Sequence, residues 1–313
     1  MSYILSGSTD SGPINYLTEL SVESDMEFLW YKNKSDLIEG KDIKLVITGT
    51  SLGDSIDKKL IRHAKKNNIT SVSIIEHWSW YKKRFELNGN LILPDHIIVN
   101  DDYARVQAIN DGLPAGKIFV GGNPYLDNLS KSKLSDVDVE TWKKKNNFTG
   151  KKIILFITEA LKNSFPLDSD DYLGYDEFKV LNDIIEILPG NSALLLKIHP
   201  EEEGNKYEHL QSDQVRVINQ MSIDEMTQIP NTIIGMASML LIELGMFRDD
   251  IISYRPNARK GFVGEKIGAT HYAETKSQLK NYLLDPPSFS AMPFREKFDG
   301  SGKRISKFLE SLL

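Results

Sequence analysis

The sequence predicts an α/β protein built from two doubly wound domains. Three observations carry this. Short apolar runs recur along the chain, each followed by small or polar residues and then by an amphipathic segment. That is the strand–loop–helix rhythm of βαβ units around a parallel sheet. The 313 residues exceed one ordinary doubly wound domain and suit two of roughly 150 each. A polar, lysine-rich stretch, 129–147, splits the rhythm into two series. The expected layout is therefore two Rossmann-like domains, 1–135 and 150–300, facing a central cleft, with a last helix over 301–313 packing at the domain junction.

In the first series, Tyr3 to Leu5 reads as a strand, the Ser/Gly-rich run Ser6 to Gly12 as its loop, and Pro13 to Leu20 as the helix behind it, since Pro fits a first helical turn. Gly7, Asp10 and Gly12 make this loop a candidate anion or sugar contact; a plain βα turn is the alternative. Further strands are expected at Met26–Tyr31, Leu45–Ile47, Ser71–Ile75, Ile97–Val99 and Lys117–Val120, with helices at 54–67 and 102–109. Glu76-His77 follows the Ser71–Ile75 strand directly, a carboxylate beside an imidazole where an acid or base would be useful. The neighbouring Trp78, Trp80, Tyr81 and Phe85 read as a packing cluster, with sugar stacking as the alternative.

In the second series, strands are expected at Lys152–Ile157, Ala193–Ile198, Val215–Ile218, Ile233–Gly235 and Ile251–Tyr254. Helices are expected at 176–188 and 222–228, the latter opened by a Ser222/Glu225 capping box. The Ala193 strand carries Lys197 and delivers His199-Pro200 at its carboxyl end, where ligand crevices of open α/β folds lie. Gly235, Ala237 and Ser238 form a small-residue turn into a helix bearing Glu243, a turn that lets a phosphate approach backbone N–H groups while the acid meets ribose hydroxyls. Arg255 follows the Ile251 strand, placed to reach a phosphate. Asp168, Asp170 and Asp171 miss the calcium-loop pattern, because Tyr172 and Leu173 stand where an acid or amide and a Gly are needed, so no metal site is expected.

Composition narrows the function. Apolar residues at 40% supply real cores. A formal charge of −6 argues against non-specific nucleic-acid binding, which needs a basic face. With no cysteine, disulfides, thiolate metal sites and a Cys nucleophile are excluded. No signal peptide or membrane-length apolar run is expected, which places the protein in the cytoplasm and leaves peripheral membrane contact open.

Several patches carry a family resemblance. Gly121-Gly122-Asn123-Pro124-Tyr125-Leu126-Asp127 resembles the GNP-x-x-D segment of UDP-N-acetylglucosamine 2-epimerases, with Asn123 as a nucleotide-sugar contact. Lys197-Ile198-His199-Pro200 resembles the strand end these share with CDP-glycerol glycerophosphotransferases, and Gly235 to Gly245 resembles the donor-site turn and helix, Glu243 matching the ribose-binding acid. The sequence as a whole resembles the GT-B glycosyltransferases and the epimerases. Three segments depart: the epimerase EAGLR appears only as Glu76-His77-Trp78-Ser79, HRREN is absent, and SGG-x-x-EE is replaced by Gly235-Met236-Ala237-Ser238. The resemblance implies a metal-independent GT-B glycosyltransferase of bacterial surface-glycan synthesis. Glu76, His77 and His199 would be catalytic, and Gly7, Asp10, Gly12, Asn123, Lys197, Gly235, Ser238, Glu243 and Arg255 would bind the nucleotide sugar. It implies no cofactor, an acceptor glycan or lipid-linked sugar as partner, and a homodimer. An epimerase or hydrolase of the same donor, or a non-catalytic nucleotide-sugar-binding partner, is the alternative.

Overall fold

A computed structural model describes residues 3–31, 41–287 and 292–313. The chain divides into two compact units, 1–131 with 295–313, and 132–294.

The first unit contains β1 (Tyr3–Gly7), α1 (Ser11–Glu23), β2 (Glu27–Trp30), β3 (Ile43–Thr48), α2 (Ile56–Lys66) and β4 (Thr70–Ile75). A hairpin of β5 (Glu86–Leu87) and β6 (Asn90–Leu91) follows, then β7 (His96–Val99), α3 (Asp102–Asn110), β8 (Ile118–Val120) and α4 (Pro124–Lys131). The six main strands are parallel in the order β2-β1-β3-β4-β7-β8.

The second unit contains α5 (Val139–Lys145), β9 (Lys152–Ile157), α6 (Leu161–Ser164), α7 (Glu177–Ile187), β10 (Ser192–Lys197), β11 (Val215–Ile218), α8 (Ile223–Gln228) and β12 (Thr232–Gly235). It continues with α9 (Met239–Gly245), β13 (Ile251–Tyr254), α10 (Val263–Ile267), β14 (His271–Ala273) and α11 (Lys276–Leu284). Its sheet is parallel in the order β11-β10-β9-β12-β13-β14, which is the dinucleotide-fold order 3-2-1-4-5-6 when its own strands are counted in sequence. The Ser222/Glu225 capping box at α8 is formed.

The strands are legible because parallel sheets covered on both faces bury continuous runs: Leu45, Val46 and Ile47, and likewise Ala193 to Leu196, are all fully buried. Through α12 (Met292–Glu296) the chain returns to the first unit and ends in α13 (Ser301–Glu310). Ile305 and Leu309, one turn apart on α13, enter the core beside Ile4, Tyr16 and Ile98, and Phe308 stacks on Phe119 with centroids 4.1 Å apart. Ser301 of α13 donates its N–H to Asp127 Oδ2 at 3.2 Å, tying α13 to α4.

An open parallel sheet presents its ligand crevice at the carboxyl ends of the strands, where the strand order reverses. In the first sheet the reversal lies between β1 and β3; in the second it lies between β9 and β12.

Candidate functional site

At the first reversal the loops after β1 and β3 lock together. Ser8 Oγ donates to Asp57 Oδ1 at 2.7 Å and lies 3.2 Å from Ser51 Oγ; the Asp10 N–H donates to Ser51 Oγ at 3.1 Å. The buried Lys58 ammonium donates to Ser51 O at 2.7 Å, and burial lowers its pKa. The packing admits only glycine at 49, since a Cβ there would collide with Ser8 Oγ, Pro13 Cβ and Asp57 Oδ1. Asp57 Oδ2 is buried with no hydrogen-bond partner.

Glu76 follows β4 and lies over this lock. It is 7% exposed, and a Cβ on Gly12, in the first turn of α1, would sit 3.4 Å from its Oε1. Oε2 is buried without a partner. Burial lifts the carboxyl to about 7; Arg84, with Nη1 4.0 Å from Oε1, pulls the other way without overcoming burial. Near neutral pH Glu76 therefore holds a proton for a substantial part of the time. His77 Nε2 is 3.9 Å from Glu76 Oε1, beyond hydrogen-bond reach. Burial and the Arg84 charge press the imidazole well below its ordinary pKa, so it is neutral at pH 7. The two neighbours thus exchange their usual roles, with the carboxyl as proton donor and the imidazole as acceptor.

At the second reversal a carboxylate already occupies the small-residue turn. Glu159, two residues beyond β9, accepts the Ala237 N–H at 2.7 Å, and the N–H groups of Met236 and Ser238 also stabilise it. Burial nonetheless raises its pKa to about 7, against these N–H groups and Arg255. A Cβ on Gly235 would sit 2.7 Å from Leu241 Cδ2, so a larger residue there would push the Leu241 side chain aside. Ser238 caps α9 through Leu240 N at 3.2 Å, and Glu243 lies half-buried one turn on.

The other candidates have internal partners. Arg255 is 2% exposed; its Nε donates to Ser253 Oγ at 2.9 Å, Nη1 to Lys260 O at 2.9 Å and Nη2 to Glu265, with the guanidinium 4.6 Å from the Tyr272 ring centroid. The guanidinium thus fastens α10 to β13. The His199 N–H donates to Thr158 Oγ1 and Glu202 Oε2, both at 3.0 Å, and its Nδ1 accepts from Glu201 N at 3.2 Å, so the acidic tract after β10 folds back onto the strand end. Lys197 is half-buried, which lowers its pKa. Asn123 is buried and caps α4, its Oδ1 accepting from Tyr125 N and Leu126 N, while a Cβ on Gly7 would lie 3.0 Å from Tyr31 O.

No protein-family profile matches the sequence, and no curated protein matches it. Solved structures do. The UDP-GlcNAc 2-epimerase of Methanocaldococcus jannaschii is similar with a TM-score of 0.65 at 13% identity, over 99% of each chain. The UDP-N-acetylglucosamine 2-epimerase of Rickettsia bellii gives 0.64 at 14% identity, over 99% of this chain and 96% of that one. Anabaena HepE in complex with UDP and glucose gives 0.63 at 11% identity, over 99% and 100%. The fold is that of the UDP-GlcNAc 2-epimerases. These neighbours share the GT-B-like architecture, so the expected fold class is what the structure shows.

On this epimerase-like fold the structure brings Gly12 and Glu76 together in one unit, and Gly235 and Ser238 together in the other. The sequence reading passed over Glu159, Asp57, Lys58 and Arg84. Glu159 had one usable signal, its place directly after the strand that opens the second series; the rest are fixed by long-range packing. No helix among the described residues is long and apolar enough to cross a membrane.

Proposed function

We propose that this protein binds a UDP-sugar and turns it over without an acceptor, as an epimerase or hydrolase, with Glu76 as the proton donor to the substrate and the neutral His77 as a proton acceptor from it. The observation that supports this most is Glu76 itself: a carboxyl lifted to about 7, with one oxygen unsatisfied, against the first turn of α1 and one strand from the order reversal of a fold shared with UDP-GlcNAc 2-epimerases. In this reading Gly235, Ser238 and Glu243 hold the nucleotide, and Lys197, His199 and Arg255 set the electrostatics around it without a metal or other cofactor. A diphosphate that takes the turn displaces Glu159 from Ala237 N–H.

The test is proton NMR of UDP-GlcNAc incubated with the protein alone. A new anomeric signal marks epimerisation, and free UDP with free sugar marks hydrolysis. Glu76→Gln is expected to slow either reaction by about 10²–10⁴-fold while UDP still binds. An unchanged spectrum, with UDP bound, would retire the epimerase and hydrolase reading and leave glycosyl transfer or a non-catalytic nucleotide-sugar-binding partner, which a screen of acceptor sugars separates.

Glycosyl transfer to a glycan or lipid-linked acceptor is the second reading. It is favoured by an aromatic-lined pocket that begins at Trp78, directly after Glu76-His77.

A further inference from the structure

The segment after β4 makes a feature that proton chemistry at Glu76 does not require. A cavity of about 530 Å³ opens there, walled by Trp78, Trp80, Tyr81 and Tyr103, with Gln107 and Asn110 of α3 on its polar side. Three of its aromatics come from four consecutive residues, and they are not packed alike. Trp78 is a fixed wall: it is 6% exposed, and its Nε1 donates to Asp101 Oδ2 at 3.0 Å. Tyr81 is 3% exposed, yet its hydroxyl is buried without a hydrogen-bond partner, an arrangement that costs free energy unless a partner arrives.

Trp80 is held out into solvent. The residue is 50% exposed and its backbone sits at φ +56°, a left-handed conformation that bulky residues rarely adopt. Specific contacts enforce this geometry. Arg84 N–H donates to Trp80 O at 3.1 Å, Arg84 Nε donates to Ser79 O at 3.0 Å, and Lys82 N–H donates to Asp111 Oδ2 at 2.8 Å. Lys83 Nζ lies 5.0 Å from the indole centroid. Strained backbone that presents a large side chain to solvent is characteristic of ligand sites, because packing alone does not repay the strain.

We propose that this pocket binds a saccharide, with the Trp80 indole stacking on the apolar face of a pyranose ring and Tyr81, Gln107 and Asn110 meeting its hydroxyls. The chemistry selects this class. A purely apolar ligand would leave the phenol and amide groups without partners, whereas a sugar ring carries both an apolar C–H face and a rim of donors and acceptors. The Arg84 that holds the Ser79–Trp80 turn through its Nε also lies 4.0 Å from Glu76 through its Nη1, so one guanidinium links this turn to the proposed acid. As an acceptor subsite the pocket rests on the glycosyl-transfer reading; saccharide binding does not.

The test is saturation-transfer NMR on the full chain, irradiating aromatic protons, with maltose, cellobiose and N,N′-diacetylchitobiose as probes and no nucleotide present. Transfer to at least one disaccharide is expected. Trp80→Gly removes the indole and suits the positive φ, so the variant is expected to melt no lower than the parent and to lose affinity by at least about tenfold. Tyr81→Phe, which keeps the ring, is expected to weaken binding while leaving the melting temperature unchanged or raised. No transfer to any of the three sugars, transfer undiminished in Trp80→Gly, or displacement of the sugar by uridine would each overturn the proposal. UDP binding, followed in parallel by thermal shift, separates the two readings: sugar binding without UDP binding retires only the nucleotide-sugar reading, and the converse retires only the pocket.

Discussion

Replacing Glu76 by Gln gives a stability test that is independent of any substrate. Burial holds the folded carboxyl at about 7, while the same group in the unfolded chain titrates at the ordinary 4.5. Between these values the folded state keeps a proton that the unfolded state has released. Stability therefore falls as pH rises from about 4.5 through about 7, and the loss is complete above the folded value. The gap corresponds to about 3 kcal/mol. Gln has nearly the same shape and never ionises, so Glu76→Gln escapes this loss. The quantity to measure is the difference between variant and parent in urea unfolding of the first unit, read at about pH 5 and about pH 8.5. Glu159 also titrates near 7, but it is present in both proteins and cancels in the difference. The variant is expected to lie within about 1 kcal/mol of the parent near pH 5 and to exceed it by up to about 3 kcal/mol near pH 8.5. A difference that does not change with pH would refute the claim that the Glu76 carboxyl is held near neutrality.

Three further outcomes are expected. Glu159→Ala frees the Ala237 N–H; UDP affinity measured by calorimetry should rise by about tenfold, and in the parent it should weaken as pH rises through about 7, because the ionised carboxylate is the stronger competitor. Equal affinities in both proteins at both pH values would remove Glu159 as a competitor. Gly49→Ala forces a methyl into Ser8, Pro13 and Asp57 and should destabilise the first unit by about 1–3 kcal/mol in urea unfolding; a neutral result would mean the two loops are not locked. Lys206→Met strands the buried carboxylates of Glu177 and Glu202, both of which bond its ammonium. It should cost about 3–5 kcal/mol at neutral pH; an unchanged urea-unfolding midpoint would contradict this.

The sequence was most legible where each strand is buried on both faces. Lys152–Ile157 and Ile251–Tyr254 were read with their observed ends, because a largely apolar run bounded by polar residues leaves little choice of register. The three-residue strand His271–Ala273 and the helix Lys276–Leu284, which buries only Leu279 and Leu283, carry too little periodic signal to stand out. Residues at strand ends were legible as candidates; their partners were not. Arg255 has the position of a phosphate ligand, but Glu265, ten residues on, turns its donors inward, and only the packing of α10 reveals that.

Strand order explains the rest. Apolar runs say where strands lie, but not which pair lie side by side where the order reverses, and the reversal decides which carboxyl matters. Glu76 counts because α1 sets its first turn over it, and Glu159 counts because β9 pairs with β12, at Leu155 opposite Ile233, which brings the Ala237 N–H within reach across 78 residues of sequence. Burial lifts both carboxyls to about 7, yet their surroundings differ in one decisive respect. Glu159 has its hydrogen-bond donors, and any anion at that turn must replace it. Glu76 keeps a buried oxygen without a partner, so a ligand that supplies one gains interaction energy the folded chain has left unused. This asymmetry is why the catalytic proposal rests on Glu76, whereas the nucleotide proposal depends on Glu159 giving way.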